Sequence, residues 1–389
     1  MFFGSERQMV LFCLCYTCPE VEDMNKHDKL LITMFSSADS VAGQGVGSAY
    51  QEQVNLVKTG APELFDVEIN KWTSDPDIQH FHTIDPAFLL RIKDKHAVNI
   101  AYCHFLPDTL EGSLKIPKIL FPAAQKYIIN FYNSADRLVV VNPSFINELV
   151  KYDIDRKKIY YIPNFVSKEK FHPLGQEARN EWRDKYGIDR DAFVILGCGQ
   201  VQTRKGVLDF VETAESMPDA HFVWAGGFSF GPMTEGYEQL KAIMDNPPAN
   251  VTFTGIVDRD DMVSIYNMCD VLFIPSYNEL FPMTILEAVN LGIPLVTRDL
   301  DLYRDILFDD YLRGHSNEEF RSLLEGLKND PEMYKFWSSK STDLSNFYSR
   351  EHVLEMWKKF YVEAWEEKFK EKWPPADGSL KETTNELEQ

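Results

Sequence analysis

Short apolar runs, each closed by turn residues and followed by a helical pattern, recur along this chain in two series, and that alternation limits its fold more than any other feature. In the first half the runs are Lys29 to Phe35, Leu64 to Ile69, His96 to His104 and Arg137 to Val141. A charged, proline-flanked bridge runs from Pro163 to Asp191, and the alternation then restarts at Ala192 to Gln200. It continues through His221 to Gly227, Asn250 to Gly255, Asp270 to Ser276 and Pro294 to Arg298, with helical patterns at 237–244, 260–268 and 284–291 between them. Strand, helix and strand in succession require a parallel sheet covered on both faces. With 389 residues the chain exceeds a single core, because domains cluster near about 100–150 residues. The expected fold is therefore α/β, with two Rossmann-like, doubly wound domains at residues 28–170 and 180–345, joined near 165–190. A last helical pattern runs from Arg350 to Lys370.

Charge narrows the function. The balance of 40 Lys+Arg against 60 Asp+Glu gives a net charge of −20, which excludes nucleic acid as a general partner and makes any attraction to an anionic membrane depend on a local basic patch. Six cysteines, three of them at Cys13, Cys15 and Cys18, form neither a disulfide framework nor a regular zinc spacing, so a reduced, cytosolic protein without a metal is expected. The apolar stretch Met9 to Cys18 lacks a basic flank and is far short of the roughly 20 residues that span a bilayer. Neither a signal peptide nor a transmembrane helix is expected. Residues 1–27 read as a flexible extension, and 373–389 as a disordered tail rich in proline and polar residues.

In doubly wound sheets a ligand lies beyond the carboxyl ends of the strands. After the first run, Gly43, Gly45 and Gly47 allow backbone amides to approach a phosphate at a helix start, or form a plain tight turn. His104 and Asp108 follow the third run, while His80 and His82 with Asp85 present a second imidazole pair; mutual geometry decides which of these faces a substrate. After Gly199, the stretch to Gly206 carries Arg204 and Lys205 at a helix start. There two cations oppose the helix dipole and so favour an anionic partner, such as a diphosphate held without metal. After Pro275, two carboxylates eight positions apart, Glu279 and Glu287, bracket a loop and the first turn of a helix starting near Pro282.

These residues resemble the retaining nucleotide-sugar glycosyltransferases of the GT-B architecture, in family four, over about Leu30 to Leu307. The resemblance rests on Glu279 to Glu287 with Ala288 and Gly292-Ile293-Pro294, on Ile162-Pro163-Asn164-Phe165-Val166, on Lys205-Gly206 and on Phe253-Thr254-Gly255. It implies two domains facing a central cleft, with a closing helix at 350–372 that crosses back to the first. Glu287 would hold the nucleotide ribose, and Glu279 the donor sugar. Arg204 and Lys205 would neutralise the diphosphate, assisted by backbone amides at Phe281, Met283 and Thr284. His104 would face the donor sugar, and Gly43 to Gly47, with Gly45 and Gly47 as donor-binding residues, would meet the diphosphate or the acceptor from the other domain. Configuration would be retained without a metal or other cofactor. The chain departs from the usual pattern at Phe165, Gln200 and Pro282.

From Gly112 to Ala135 the chain carries Lys115, Lys118 and Lys126 with Phe121 and Tyr127 and no acidic residue, a mix suited either to a lipid headgroup region or to an ordinary buried helix. The strings at 34–37, 43–50 and 104–112 are similar to bacterial glycolipid synthases that extend monoglycosyl-diacylglycerol. That resemblance implies UDP-glucose or UDP-galactose as donor, a glycosyl-diacylglycerol acceptor in an anionic membrane, and a cytoplasmic enzyme peripheral on the inner face of the cell membrane. Alternatives are a transferase for a soluble or polysaccharide acceptor, a silent sugar-nucleotide sensor, and a dehydrogenase, the last disfavoured by an incomplete glycine fingerprint.

Overall fold

The computed structural model describes residues 29–37, 45–104, 106, 121–370 and 373, and the side chains of Gly45, Val46 and Ser48 are not among them. The expectations for residues 1–27, for Gly43, for Asp108 and for the tail beyond 373 fall outside the described residues. Trp373 does not belong to a disordered tail: its side chain is buried and its amide donates to Glu366 at 3.0 Å.

The first half contains β1 (Leu30–Phe35), α1 (Gly45–Gly60), β2 (Phe65–Ile69), β3 (Ile78–Phe81), β4 (Val98–Cys103), α2 (Phe121–Ser134), β5 (Arg137–Val140), α3 (Ser144–Lys151) and β6 (Ile159–Tyr161). The bridge holds α4 (Gln176–Lys185), anchored by the buried Arg183, whose guanidinium donates to the carbonyls of Met268 and Ala192 and to Asp270. The second half runs through β7 (Val194–Cys198), α5 (Val207–Glu215), β8 (His221–Ala225), α6 (Tyr237–Asp245), β9 (Val251–Gly255), α7 (Met262–Asn267), β10 (Val271–Ile274), α8 (Met283–Asn290), β11 (Leu295–Arg298), α9 (Asp301–Leu307) and β12 (Leu312–Gly314). It ends with α10 (Asn317–Asn329), α11 (Pro331–Phe347) and α12 (Arg350–Phe369).

Two six-stranded parallel sheets result, ordered β2-β1-β3-β4-β5-β6 and β12-β11-β10-β7-β8-β9. Strand order reverses between β1 and β3 in the first sheet and between β7 and β10 in the second, so a crevice opens beyond the carboxyl ends at each of those points. The central strands are buried on both faces, which explains why β10 reads as an unbroken apolar run and β4 as one interrupted only by Asn99. Strand β3 is equally buried but spells Ile-Gln-His-Phe, and its two polar side chains hid it from the hydrophobic pattern. Strands β6 and β12 are three residues each, too short to show a period.

Helix α12 packs against the first half. Its Trp357 packs on His80 and Tyr102 with ring centroids 5.3 and 5.5 Å away, and Tyr361 places its hydroxyl 2.8 Å from His80 Nδ1 while accepting from Gln53 Nε2 at 3.0 Å. At the other end Lys368 donates to Asp136 at 2.6 Å. Around this seam His80, His82 and His104 form a buried ring ladder, with centroids 4.3 Å apart between the first two and 5.8 Å between the last two. Burial pulls the imidazoles of His80 and His104 down to about 3 and that of His82 well below its ordinary value. All three are neutral in the folded chain.

Two expectations follow from this seam. Trp357→Ala leaves a large void against His80 and Tyr102 and lowers unfolding stability by about 3–5 kcal/mol, read from urea denaturation; an unchanged midpoint would show that α12 is not holding the first half. The unfolded imidazoles take a proton near pH 6.5 and the folded ones only far lower, so their contribution is complete above that pH and is lost as pH falls toward 3. Between pH 7.5 and 5.5, His82→Gln is expected to lose about 1.4 kcal/mol less stability than the unsubstituted chain. Equal losses would mean that His82 titrates normally.

Candidate active site

The site is built where the loops after β7 and β10 meet. The loop after β7 ends in Gly206, whose φ of +69° suits glycine and whose α carbon lies so close to the chain that a β carbon would come within 2.4 Å of the Pro275 carbonyl oxygen. That close approach lets Tyr277 donate its amide to the Arg204 carbonyl at 2.9 Å. The cations therefore project onto the loop that carries the first carboxylate. Lys205 Nζ lies 2.6 Å from one Glu279 oxygen, and Arg204 Nη1 lies 3.8 Å from the other while donating to the Asn278 carbonyl.

None of the three points into bulk solvent: side-chain exposure is 15% for Lys205, 19% for Arg204 and 6% for Glu279. Burial works to raise the Glu279 carboxyl, but Lys205 and Arg204 outweigh it and hold the group below its usual range. Burial also lowers the Lys205 ammonium against the opposing pull of Glu279. With both cations charged, the cluster has one positive charge in excess at the switch point of the second sheet. Among the described residues no group of three or more His, Cys, Asp or Glu is arranged to hold a metal ion.

Just beyond Glu279, the Phe281 side chain is core, set edge-on to Tyr348 with centroids 5.0 Å apart, so only its backbone is available to a ligand. Met283 is buried and Thr284 half-buried in the first turn of α8, where helix geometry provides no acceptor for their amides. The amide of Ile285 already bonds to the Pro282 carbonyl at 3.1 Å. Four positions into α8, Glu287 is buried and accepts from the Tyr266 hydroxyl at 2.7 Å and from Arg259 Nη1 at 3.1 Å. Burial raises its carboxyl above the ordinary value despite the pull of Arg259 and Tyr266. It also helps push the nearby Cys198 thiol, already raised by its own burial, to about 12.

The first half closes over this wall at several points. Asn142, past the end of β5, donates to the carbonyls of Leu280 and Leu302 at 3.0 Å each, and Lys170 pairs with Asp260 at 2.6 Å. Arg259 reaches Glu52 on α1 at 2.7 Å. A cavity of about 350 Å³ lies at this seam, lined by Gln51, Glu52, Asn55, Ser167, Lys170 and Arg259 among others.

The structure thus brings Arg204, Lys205 and Glu279 into one cluster, with Glu287 in a separate one built on Arg259 and Tyr266. His104 follows β4 in the first half, and among the described residues no hydrogen bond, ion pair or ring contact joins it to either cluster. Its Nε2 and both ring nitrogens of His82 are buried without a partner. Gly45 and Gly47 do not form a loop before α1, as expected from the sequence, but are its first turn, because the helical pattern extends back through them. Lys115 and Lys118 lie outside the described residues. Phe121 opens α2 half-buried and Lys126 is exposed. Tyr127 is turned inward rather than toward a headgroup region, donating its hydroxyl to the Ile84 carbonyl, and Ile128, Phe131 and Tyr132 of the same helix are core. Sequence reasoning missed Glu52, Arg259 and Tyr266, which stand in ordinary polar or amphipathic stretches: Glu52 and Arg259 gain meaning from their contact across the cleft, and Tyr266 from its bond to Glu287 within the second half.

Comparison with known proteins fits both halves. Residues 60–170 match glycosyltransferase family 4 and residues 178–343 match glycosyl transferases group 1. The alpha-galactosylglucosyldiacylglycerol synthase of Streptococcus pneumoniae is 48% identical over 86% of this chain and 89% of its own length. The processive diacylglycerol alpha-glucosyltransferase of Acholeplasma laidlawii is 26% identical over 76% of this chain and 87% of its own. Among solved structures, Anabaena HepE in complex with UDP and glucose superposes with a TM-score of 0.68 at 13% identity, covering 85% of this chain and 99% of that one. Two parallel sheets facing a cleft, two matching halves and a relative of nearly one-half identity along most of both chains lead to one conclusion: the chain belongs to the GT-B glycosyltransferases of the family-four type.

Proposed function

We propose that the chain is a retaining, metal-independent hexosyltransferase that moves glucose or galactose from a UDP-sugar to a glycosyl-diacylglycerol, monoglucosyl-diacylglycerol foremost, giving a diglycosyl-diacylglycerol. The observation that carries this reading is the Arg204, Lys205 and Glu279 cluster beside the open amides of α8. As the bond from sugar to diphosphate breaks, negative charge grows on the leaving group. Preformed cations and helix-end amides stabilise that charge more than they stabilise the ground state. Arg204 and Lys205 would take the diphosphate, with the amides of Phe281, Met283 and Thr284 adding donors. Gly45 and Gly47 would approach it from the first half.

In this reading Glu287 accepts from the ribose hydroxyls and Glu279 from the donor sugar, both as carboxylates. His104, neutral at physiological pH, offers a hydrogen bond to the donor sugar without adding charge. The names of the Streptococcus and Acholeplasma relatives support a diacylglycerol-linked acceptor, and the alpha linkage in both names corresponds to retention for the UDP-sugar donor proposed for this chain, whose own glycosidic bond is α. The HepE complex supports a UDP-sugar donor.

For the acceptor we propose peripheral association with the anionic inner face of the cell membrane through Lys115, Lys118, Phe121 and Lys126, with the inward side of α2 serving as its anchor to the core. No helix among the described residues is long and apolar enough to cross a membrane. The burial of Ile128, Phe131 and Tyr132 favours a second reading, in which this segment is purely structural and the acceptor is soluble.

Incubation with radiolabelled UDP-glucose or UDP-galactose, monoglucosyl-diacylglycerol vesicles and EDTA should give a lipid product with the anomeric configuration of the donor. Lys205→Ala is expected to cut turnover by more than about tenfold, and Glu287→Ala to raise the donor KM by a similar factor. Unchanged kinetics in both variants would mean that the donor lies elsewhere. Sedimentation with anionic vesicles separates the acceptor readings: changing Lys115, Lys118 and Lys126 to Glu should abolish binding and lower activity on lipid acceptor. Failure of the unsubstituted chain to bind, with full activity in the triple variant, would favour a soluble acceptor.

A further inference from the structure

Arg259 lies in the turn between β9 and α7 and is the only described residue whose hydrogen bonds to carboxylates reach both Glu52 on α1 and Glu287 on α8. Its two terminal nitrogens divide between them, Nη1 at 3.1 Å from Glu287 and Nη2 at 2.7 Å from Glu52. The guanidinium carbon sits 5.7 Å from the centre of the Phe171 ring in the bridge, which braces its plane. A flat, forked cation can serve two carboxylates on opposite walls at once, whereas a point-like ammonium serves them poorly. We propose that Arg259 is a positioning residue for the donor: it aims and charges the Glu287 carboxylate for the ribose, and through Glu52 it makes that ribose wall complete only when the two halves are together.

This inference rests on the reading of Glu287 as the ribose-holding group. The groups facing the Glu287 carboxylate are Arg259, the Tyr266 hydroxyl, the Glu52 carboxylate behind Arg259, and the Cys198 thiol 3.9 Å from the Tyr266 oxygen. Of these only Arg259 is a cation. Without it a buried carboxyl already biased toward its neutral form would face one hydroxyl, one thiol and a like charge, so it would take up a proton nearer neutrality. A protonated carboxyl retains less accepting capacity for the two hydroxyls of a ribose. Donor affinity then becomes sensitive to mild acid, which is a signature that loss of packing alone does not produce.

The test uses the full chain and UDP as the probe, with affinity measured by calorimetry from pH 6 to pH 8 alongside thermal melting. Arg259→Gln is expected to weaken UDP binding by more than about tenfold, with the deficit growing as pH falls, and Arg259→Lys to recover part of the affinity and flatten the pH dependence. Glu52→Gln, which cuts only the tie to α1, should weaken UDP by roughly threefold to fivefold with no added pH dependence. If Arg259→Gln binds UDP normally while Glu287→Ala binds it poorly, the positioning role is overturned and the ribose reading stands. If Glu287→Ala binds normally as well, the ribose reading itself has failed. A deficit in Arg259→Gln that is equal at all pH values assigns Arg259 a purely structural part and overturns the proposal. Should Arg259→Gln not fold, the pH profile of Arg259→Lys and the Glu52→Gln affinity decide alone: wild-type behaviour in both would overturn it.

Discussion

The second half of this protein is organised around one ion pair, Lys205 with Glu279, formed where the loops after β7 and β10 converge. Neither partner would tolerate its surroundings alone. A buried ammonium tends to lose its proton and a buried carboxylate to gain one, and each group holds the other in the charged state at about 2.6 Å. The approach of the two loops is in turn set by Gly206, because any side chain there would collide with the Pro275 backbone. A backbone constraint at a single glycine thus fixes the distance between charges, and with Arg204 the cluster keeps one positive charge in excess.

The same logic, with a different partner set, operates across the cleft. Glu287 is stabilised by a cation that is shared with the opposite half, so the electrostatics of the Glu287 cluster and the relative placement of the halves are linked through Arg259. Besides the Lys170–Asp260 ion pair, there are neutral contacts between the halves. Asn142 bonds to the backbone carbonyls of Leu280 and Leu302, and Asn290 to that of Val166, which fixes orientation without involving charge.

Much of this architecture was legible in the sequence, for identifiable reasons. Buried or half-buried strands leave mostly apolar runs with at most two polar residues each, so β1, β4, β5 and β7 to β11 announced themselves. Strand β3 did not, because Gln79 and His80 are polar yet buried, each bonded through one nitrogen to a group outside the strand, Asp94 and Tyr361. Arg204, Lys205 and Glu279 could be singled out because charged residues immediately after a buried strand are conspicuous. Glu52 and Arg259 could not, since 207 positions separate them and each looks like solvated surface until the chain closes. The inward turn of Tyr127 was hidden for the same reason: amphipathic helices bound for a lipid surface and for a protein core share one pattern.

The path of α12 has a consequence for biosynthesis. The sheet of the first half is translated early, yet the hydroxyl that His80 bonds to and the indole that covers His80 and Tyr102 belong to Tyr361 and Trp357. While the ribosome is still adding the second half, the His80 imidazole and the Tyr102 ring lack these partners. The early-made portion therefore lacks this cover until α12 has been synthesised, and a chain cut before α12 would weaken the part made first as well as lose the part never made.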